Sequence, residues 1–515
     1  MYAILAQQTE RTRGSSTSQI KQLIAESDSK IILLENEMAA LESRMAALVE
    51  LRDLECAARD ALRFLTAPIR TLPVELLAEI FLLSIREPDE SGYIYSKLLH
   101  IQDAFRISHV CRRWRQIANG TPQLWAGPVK VDFRQQRSLT EEGINGLEML
   151  LARSAPLTVP VTIIGLENGS RPTESSCRAT ETLLCTAARW RSLRFVNYMV
   201  PPWFFQRLAG RSLDCLEELV LWNVDQDSHF DPTTVSSFAT APRLRKATLS
   251  STCGIPMPWA QLRDITLAER ISPESFRSIF SQCIDVLKVC VRVVGTSVLS
   301  QIRPDALALN QLRILSVTWV GDESGMQFFD CLSAPALDEL HLCFEEGDID
   351  WAEDAFTAFQ LRSPNITKLK IEGEGFPVPS HALITAFRHA PFLTHFSIDH
   401  CPNSVDDHFC QALCYTDDAE PLVPRLHTLA VAETDGKFSQ DGLANMIASR
   451  WWTDTELASR SRPPAVARWK QIRLKEDWIG SSFEFSSTFR GTIYALQETG
   501  LDFDFVELEY WKLDW

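Results

Sequence analysis

Two segments decide how the N-terminal part of this chain is read: Leu72-Pro73-Val74-Glu75-Leu76-Leu77-Ala78-Glu79-Ile80-Phe81 and Val110-Cys111-Arg112-Arg113-Trp114-Arg115-Gln116-Ile117-Ala118. In the first, Pro73 suits the first turn of a helix, where its missing N–H costs nothing, and Leu76, Leu77, Ile80 and Phe81 then gather on one face. In the second, Ile107, Val110, Trp114 and Ile117 recur every three or four residues along one side. Asn119-Gly120 before Thr121-Pro122 reads as a helix stop. Neither helix can bury its apolar face alone. The pattern predicts a small helical module that packs on itself and on a partner helix.

The string LPxELLxxIF, a helix carrying VCRRW and a closing Thr121-Pro122-Gln123-Leu124-Trp125 follow one another in the order of an F-box, and residues 68–125 resemble one. The resemblance implies binding to a small Skp-type adaptor, which links such proteins to a cullin–RING ubiquitin ligase. It assigns the adaptor contact to Leu72, Pro73, Leu76, Leu77, Ile80 and Phe81, together with Val110, Trp114 and the exposed residues beside them. One departure is the connection of 28 residues between Phe81 and Val110. Its excess falls at Glu87-Pro88-Asp89-Glu90-Ser91-Gly92, which are loop-forming residues.

The 515 residues are too many for one ordinary core and suggest roughly two to four domains or one extended array. Apolar residues make up 45% and charged ones 23%, as in a folded soluble protein. A net charge of −16 argues against nonspecific binding to nucleic acid or anionic membranes, because no basic excess displaces counterions from phosphates. No run of about 18 apolar residues occurs, and Met1-Tyr2-Ala3-Ile4-Leu5-Ala6 is too short for a secretory signal. Thirteen cysteines without paired short spacings fit reduced thiols. A cytoplasmic or nuclear protein is expected.

Residues 1–19 are expected to be flexible and residues 20–66 to form a coiled-coil helix. Ile24, Ile31, Met38 and Met45 occupy heptad position a, and Ile20, Leu34, Leu41 and Leu48 occupy d, with Ser27 the one polar d. The register breaks after Leu48. This rod either self-associates or receives a partner helix; a helix folded back on the F-box is the alternative.

Downstream, an apolar spacing of one, plus three, plus five recurs in 11 candidate strands, from Trp190/Leu193/Phe195 to Trp469/Ile472/Leu474, the fifth being Ile284/Leu287/Val289. Most consecutive starts lie 18 to 29 residues apart, close to the ~20–29 residues of leucine-rich repeats. Pro242, Pro335, Pro364, Pro391 and Pro424 stand just before strands, where they stop a helix. The expected layout is a connecting and first repeat region at 126–189, an irregular array at 190–475 and a capping segment at 476–515. A doubly wound α/β domain is the competing fold. It is disfavoured because no strand is followed by a glycine-rich phosphate loop.

Candidate chemistry is sparse. His400, Cys401, His408, Cys410 and Cys414 are the densest metal-like cluster, but they lack the two short ligand pairs common in zinc sites, so no metal and no cofactor is expected. The run Glu345 to Asp350 reads as a solvated loop, and Trp451-Trp452 as core packing or a cap rather than a partner anchor. The predicted fold class is α+β multidomain: a coiled-coil helix, an all-α F-box, then an α/β leucine-rich-repeat-like solenoid. The whole layout resembles the large F-box families of mushroom-forming fungi. It implies a non-catalytic substrate-recognition adaptor, with Skp-type adaptor and cullin as partners and a protein substrate on the repeats. A non-ligase interaction scaffold is the alternative, and an enzyme on an α/β core a third.

Overall fold

A computed structural model describes residues 17–86, 99–134, 139–165, 173–196, 200, 202–221, 231, 233, 235–250, 254–293, 307–320, 325–345, 351–373, 376, 378–432, 438–475 and 485–506. The chain forms two compact units, Met1–Ser84 and Ile85–Trp515.

The first unit is helical. Helix α1, Thr17–Thr66, runs for 50 residues, about 75 Å at 1.5 Å per residue. It contains no glycine or proline and is rich in Ala, Leu and Glu, which hold helix well. It ends ahead of Pro68, where a short 3-10 turn, Pro68–Arg70, leads to α2, Val74–Ser84.

The second unit opens with α3 (Leu99–Val110) and α4 (Arg112–Asn119), then alternates strand and helix. Its strands are β1 (Val129–Asp132), β2 (Val159–Ile164), β3 (Trp190–Val196), β4 (Glu218–Leu221), β5 (Lys246–Leu249), β6 (Asp264–Ile271) and β7 (Lys288–Val293). They continue as β8 (Leu307–Ala308), β9 (Ile314–Val320), β10 (Leu332–Ser333), β11 (Glu339–Glu345), β12 (Lys368–Gly373), β13 (His395–Asp399), β14 (Thr428–Ala432), β15 (Gln471–Lys475) and β16 (Phe503–Val506). The intervening helices are α5 (Glu141–Arg153), α6 (Glu174–Leu184), α7 (Pro202–Leu208), α8 (Pro273–Phe280), α9 (Glu353–Arg362) and α10 (Ser380–Arg388). The last four are α11 (Asp407–Leu413), α12 (Gln440–Ser449), α13 (Asp454–Ser459) and α14 (Ser487–Glu498).

Fourteen of these strands form one parallel sheet in which spatial order follows chain order, while β8 and β10 pair separately. A parallel step requires the chain to cross back between strands, and the intervening helices and turns supply that crossing. Alternate strand residues are buried: Leu340, Leu342 and Phe344 of β11 are at most 2% exposed, while Glu339, His341 and Cys343 between them are half-buried. The buried set joins one continuous core from Val129 to Phe503. Helices α5, α6, α8, α11, α12 and α14 start on Thr140, Thr173, Ser272, Asp406, Ser439 and Ser486, whose side-chain oxygens accept the N–H three residues on.

Each of the 11 predicted spacings coincides with a strand of the sheet, but the fifth is misplaced by two residues. Ile284 is 72% exposed, whereas Val286, Val289 and Val291 are buried. Val289 pairs in register with Ile265 and Leu315, so 286/289/291 is the true inward set. Both readings are apolar, and only the neighbouring strands fix which one faces the core. Strands β1, β2 and β16 were not among the candidates. Pro160 sits inside β2, beside a register shift at Val159, and disguises it.

Recurrent arginines tie the array together. Arg189 donates to Leu157 O at 2.9 Å, Leu151 O at 3.1 Å and Ser154 Oγ at 2.8 Å, all around the C-terminal end of α5. Arg362 reaches Phe329 O at 2.7 Å and Leu332 O at 3.1 Å. Arg450, fully buried, reaches Leu413 O at 2.9 Å, Val423 O at 3.2 Å and Leu422 O at 2.6 Å. Each satisfies carbonyls that a helix or turn end leaves open.

Candidate functional site

In the first unit, Pro73 stands one residue before α2, and its carbonyl accepts the Leu77 N–H at 3.1 Å. Leu77 and Phe81 are buried, at 0 and 1% exposure. Leu76 and Ile80 are 52 and 41% exposed, Leu83 is 83% exposed, and Pro73 is exposed with Leu72 half-buried. Positions 73, 76, 80 and 83 fall on one side of the helix. The six site residues predicted from this segment thus divide: Leu77 and Phe81 are buried, Leu72 is half-buried, and Pro73, Leu76 and Ile80 form an apolar stripe open to solvent. Leu83 extends that stripe and was missed, since it lies just past the quoted motif.

In the second unit, the segment carrying Val110 and Trp114 is two helices rather than one. Cys111 has extended backbone, φ −158° and ψ 172°, and its Sγ accepts the Trp114 N–H at 3.4 Å as the N-cap of α4. Arg115 bridges the break by donating to Ser108 O at 3.1 Å. Val110, at the end of α3, is therefore 59% exposed, while Ile117 is buried and Trp114 half-buried. Helix α4 stops at Asn119 with Gly120 as its C-cap, as the sequence predicts.

Trp125 holds this helical pair together. It is fully buried, its Nε1–H donates to Ala118 O at 2.7 Å, and Phe105 meets it edge-on at 5.2 Å. The Arg153 guanidinium, at the end of α5, lies 4.6 Å from its ring centre. Thr121 Oγ1 donates to Ile117 O at 2.8 Å. At the entry to α3, Asp103 pairs with Arg86 at 2.8 Å and Arg106 at 3.0 Å; the hydrogen bond from Arg86 holds its carboxyl down at about 2. Residues 87–98, which include Glu87 to Gly92, lie outside the described residues.

A family model described as F-box-like matches residues 69–130. The chain carries an F-box-like domain there. No curated protein matches the chain.

On the opposite side of the sheet from the core, charges form ladders, half-buried except for the exposed Lys246. Glu218 takes Arg194 at 3.0 Å and Lys246 at 3.4 Å, and Lys368 meets Glu339 at 2.6 Å. Glu372 accepts from His341 at 2.8 Å and from Lys370; burial pushes its carboxyl up, but these bonds outweigh that and hold it at about 2. Further along, His395 and His427 meet edge to face at 4.9 Å.

The Cys/His cluster does not converge. Cys401 and Cys410 are buried, and burial pushes the Cys410 thiol up to about 12 and raises that of Cys401 as well. Among the described residues no group of three or more His, Cys, Asp or Glu is arranged to hold a metal ion. Of the acidic run, 346–350 lie outside the described residues. Trp452 is buried against Tyr415 and Arg460, and Trp451 donates to Thr499 Oγ1 at 2.8 Å under Arg468, so both pack within the array. No helix among the described residues is long and apolar enough to cross a membrane.

Proposed function

We propose that the chain is the substrate-recognition subunit of a Skp–cullin–F-box ubiquitin ligase. The observation that carries this reading is the F-box-like match at 69–130, in which α2 turns Pro73, Leu76, Ile80 and Leu83 to solvent while its other face is buried. Such a stripe is stabilised by a second protein that covers it. Leu77 and Phe81 act by holding the helix in place, and Val110 adds an exposed apolar position beside the Arg112-Arg113 pair.

The strand array is read as a leucine-rich-repeat-like solenoid of the kind found in F-box families of mushroom-forming fungi. Its support is the strictly sequential parallel order, with no reversal that would create the binding crevice of a doubly wound sheet. The polar ladder face would hold the substrate. The chain contributes proximity, and the recruited ubiquitin machinery, in cytosol or nucleus, contributes the chemistry.

Affinity purification of the full chain tests the reading. A Skp-type adaptor and a cullin are expected with the wild type and absent with Leu76→Ser/Ile80→Ser, whose melting temperature stays unchanged. A folded double variant that still recovers cullin would sink the assignment. Recovery of other proteins with neither adaptor nor cullin would instead support a non-ligase scaffold.

A further inference from the structure

Helix α1 continues straight through the point where its heptads change phase. Up to Leu48 the apolar stripe follows Ile24, Ile31, Met38 and Met45 at a and Leu34, Leu41 and Leu48 at d. Beyond it the stripe resumes one residue early, through Leu51, Leu54, Ala58, Ala61 and Leu65. Every Leu, Ile and Met named in these two stripes is between 51 and 66% exposed. Among the described residues of the first unit nothing covers a face that spans the whole rod.

We propose that this face is covered by the same face of a second copy of the chain, parallel and in register. Covering both stripes on two helices removes on the order of 1,500 Å² from water, the size of a standard specific interface. The phase change selects the orientation. In a parallel pair both helices change phase at the same height, so the a and d layers match on either side of Leu48. An antiparallel partner of full overlap would set that break against the regular step from Leu34 to Met38, and knobs there would miss their holes.

Core chemistry agrees: isoleucine at a (Ile24, Ile31) with leucine at d (Leu34, Leu41, Leu48) is the two-stranded parallel combination. Charge agrees as well. In the parallel pair Lys30 at g faces Glu35 at e of the second copy, twice by symmetry. Full antiparallel overlap instead brings Glu37 to Glu50 and Asp28 to Glu55, with no attractive pair in return. A shorter antiparallel overlap pairs Lys30 with Glu37 but leaves Leu51 to Leu65 uncovered. The parallel pair has defects of its own, Glu37 facing Glu42 and Glu50 facing Glu55 of the second copy.

Both F-box-like domains would follow their rods at the same end of such a dimer. That consequence, unlike the dimer itself, rests on the ligase reading: one assembly would carry two adaptors and two substrate faces, raising the effective concentration for substrates with two sites.

Sedimentation velocity of the full chain, with no adaptor present, tests the dimer independently of ligase function. The wild type is expected at twice 58.2 kDa, and Leu34→Asp/Leu41→Asp at the monomer mass with an unchanged unfolding transition for the second unit. Glu37→Lys should tighten the dimer about fivefold at low salt by turning repulsion into attraction. Leu48→Cys, which meets itself only in a parallel in-register pair, should cross-link under mild oxidation above the background of the native thiols. A wild type monomeric at micromolar concentration overturns the proposal. So does a dimer that Glu37→Lys weakens or that Leu48→Cys fails to cross-link.

Discussion

The imidazole of His100 fills the space that a side chain at position 127 would need: a Cβ on Gly127 would fall 1.8 Å from His100 Nε2. His100 is 4% exposed, Nε2 makes no hydrogen bond among the described residues, and burial lowers its pKa against the opposing pull of Asp103. The neutral ring thus acts as a packing group that pins α3 to the segment entering β1. Gly127→Ala is expected to cost about 2–3 kcal/mol through overpacking. His100→Ala in the same chain should recover part of that loss, because the two residues share one volume. Thermal unfolding of the two single variants and the double variant measures the coupling.

Trp125→Phe keeps most of the apolar bulk but removes the 2.7 Å hydrogen bond to Ala118 O and weakens the stacking of Arg153. A loss of about 0.5–1.5 kcal/mol is expected, since the Ala118 carbonyl then keeps only the Thr121 N–H at 3.2 Å. Limited proteolysis should show earlier cleavage between α3 and β1 than in the wild type.

Leu77→Ala and Leu76→Ala separate core from surface on one helix. The first opens a cavity at a fully buried position and should cost about 2–5 kcal/mol. The second, at a half-exposed position, should stay within about 0.5 kcal/mol. A similar loss in both, read by denaturant unfolding, would contradict the burial described for α2.

Arg450 carries its charge into the core with no carboxylate paired to it among the described residues, and burial lowers its pKa to about 10. Three carbonyls and the Trp469 ring, 5.5 Å away, stand in for a counter-ion. Arg450→Met removes all three bonds and leaves the Leu413 and Leu422 carbonyls unmet, while Val423 O keeps the Leu426 N–H at 3.1 Å, and a loss of about 2–4 kcal/mol is expected. Loosening should be greatest at α11 to α12, which hydrogen exchange would localise.

His395 sets an acid limit on the array. Burial depresses its pKa to about 4, aided by His427, Lys368 and Lys470 and opposed by Asp338; Thr394 Oγ1 lies 2.7 Å from Nδ1. His427 is depressed in the same direction, by burial and Lys470. A base whose folded pKa lies below its unfolded value near 6.5 binds protons more readily when unfolded. Stability is therefore full above about pH 6.5 and falls as the pH drops toward 4. The melting temperature should decline by a few degrees over that window, and His395→Gln should flatten the decline.

Much of this architecture is legible in the order of residues. Helix α1 follows from 50 residues without glycine or proline. The F-box-like domain follows from LPxELLxxIF, VCRRW and TPxLW, and most strands from their repeating apolar spacing. These are local patterns, set by the 3.6-residue and 2-residue periods of the backbone, so a linear reading detects them.

Partition of like residues was decided only in three dimensions. Leu76 and Leu77 are the same side chain one position apart, yet one faces solvent and one is core. Ile284 and Val286 are equally apolar, and the neighbouring strands β6 and β9 choose between them. Cys111 interrupts an apparently continuous helix because its thiol caps α4, and Gly127 is glycine because a histidine 27 residues earlier needs its space. Each outcome depends on packing between segments distant in sequence, where shape and shared volume rather than hydrophobicity set the energy.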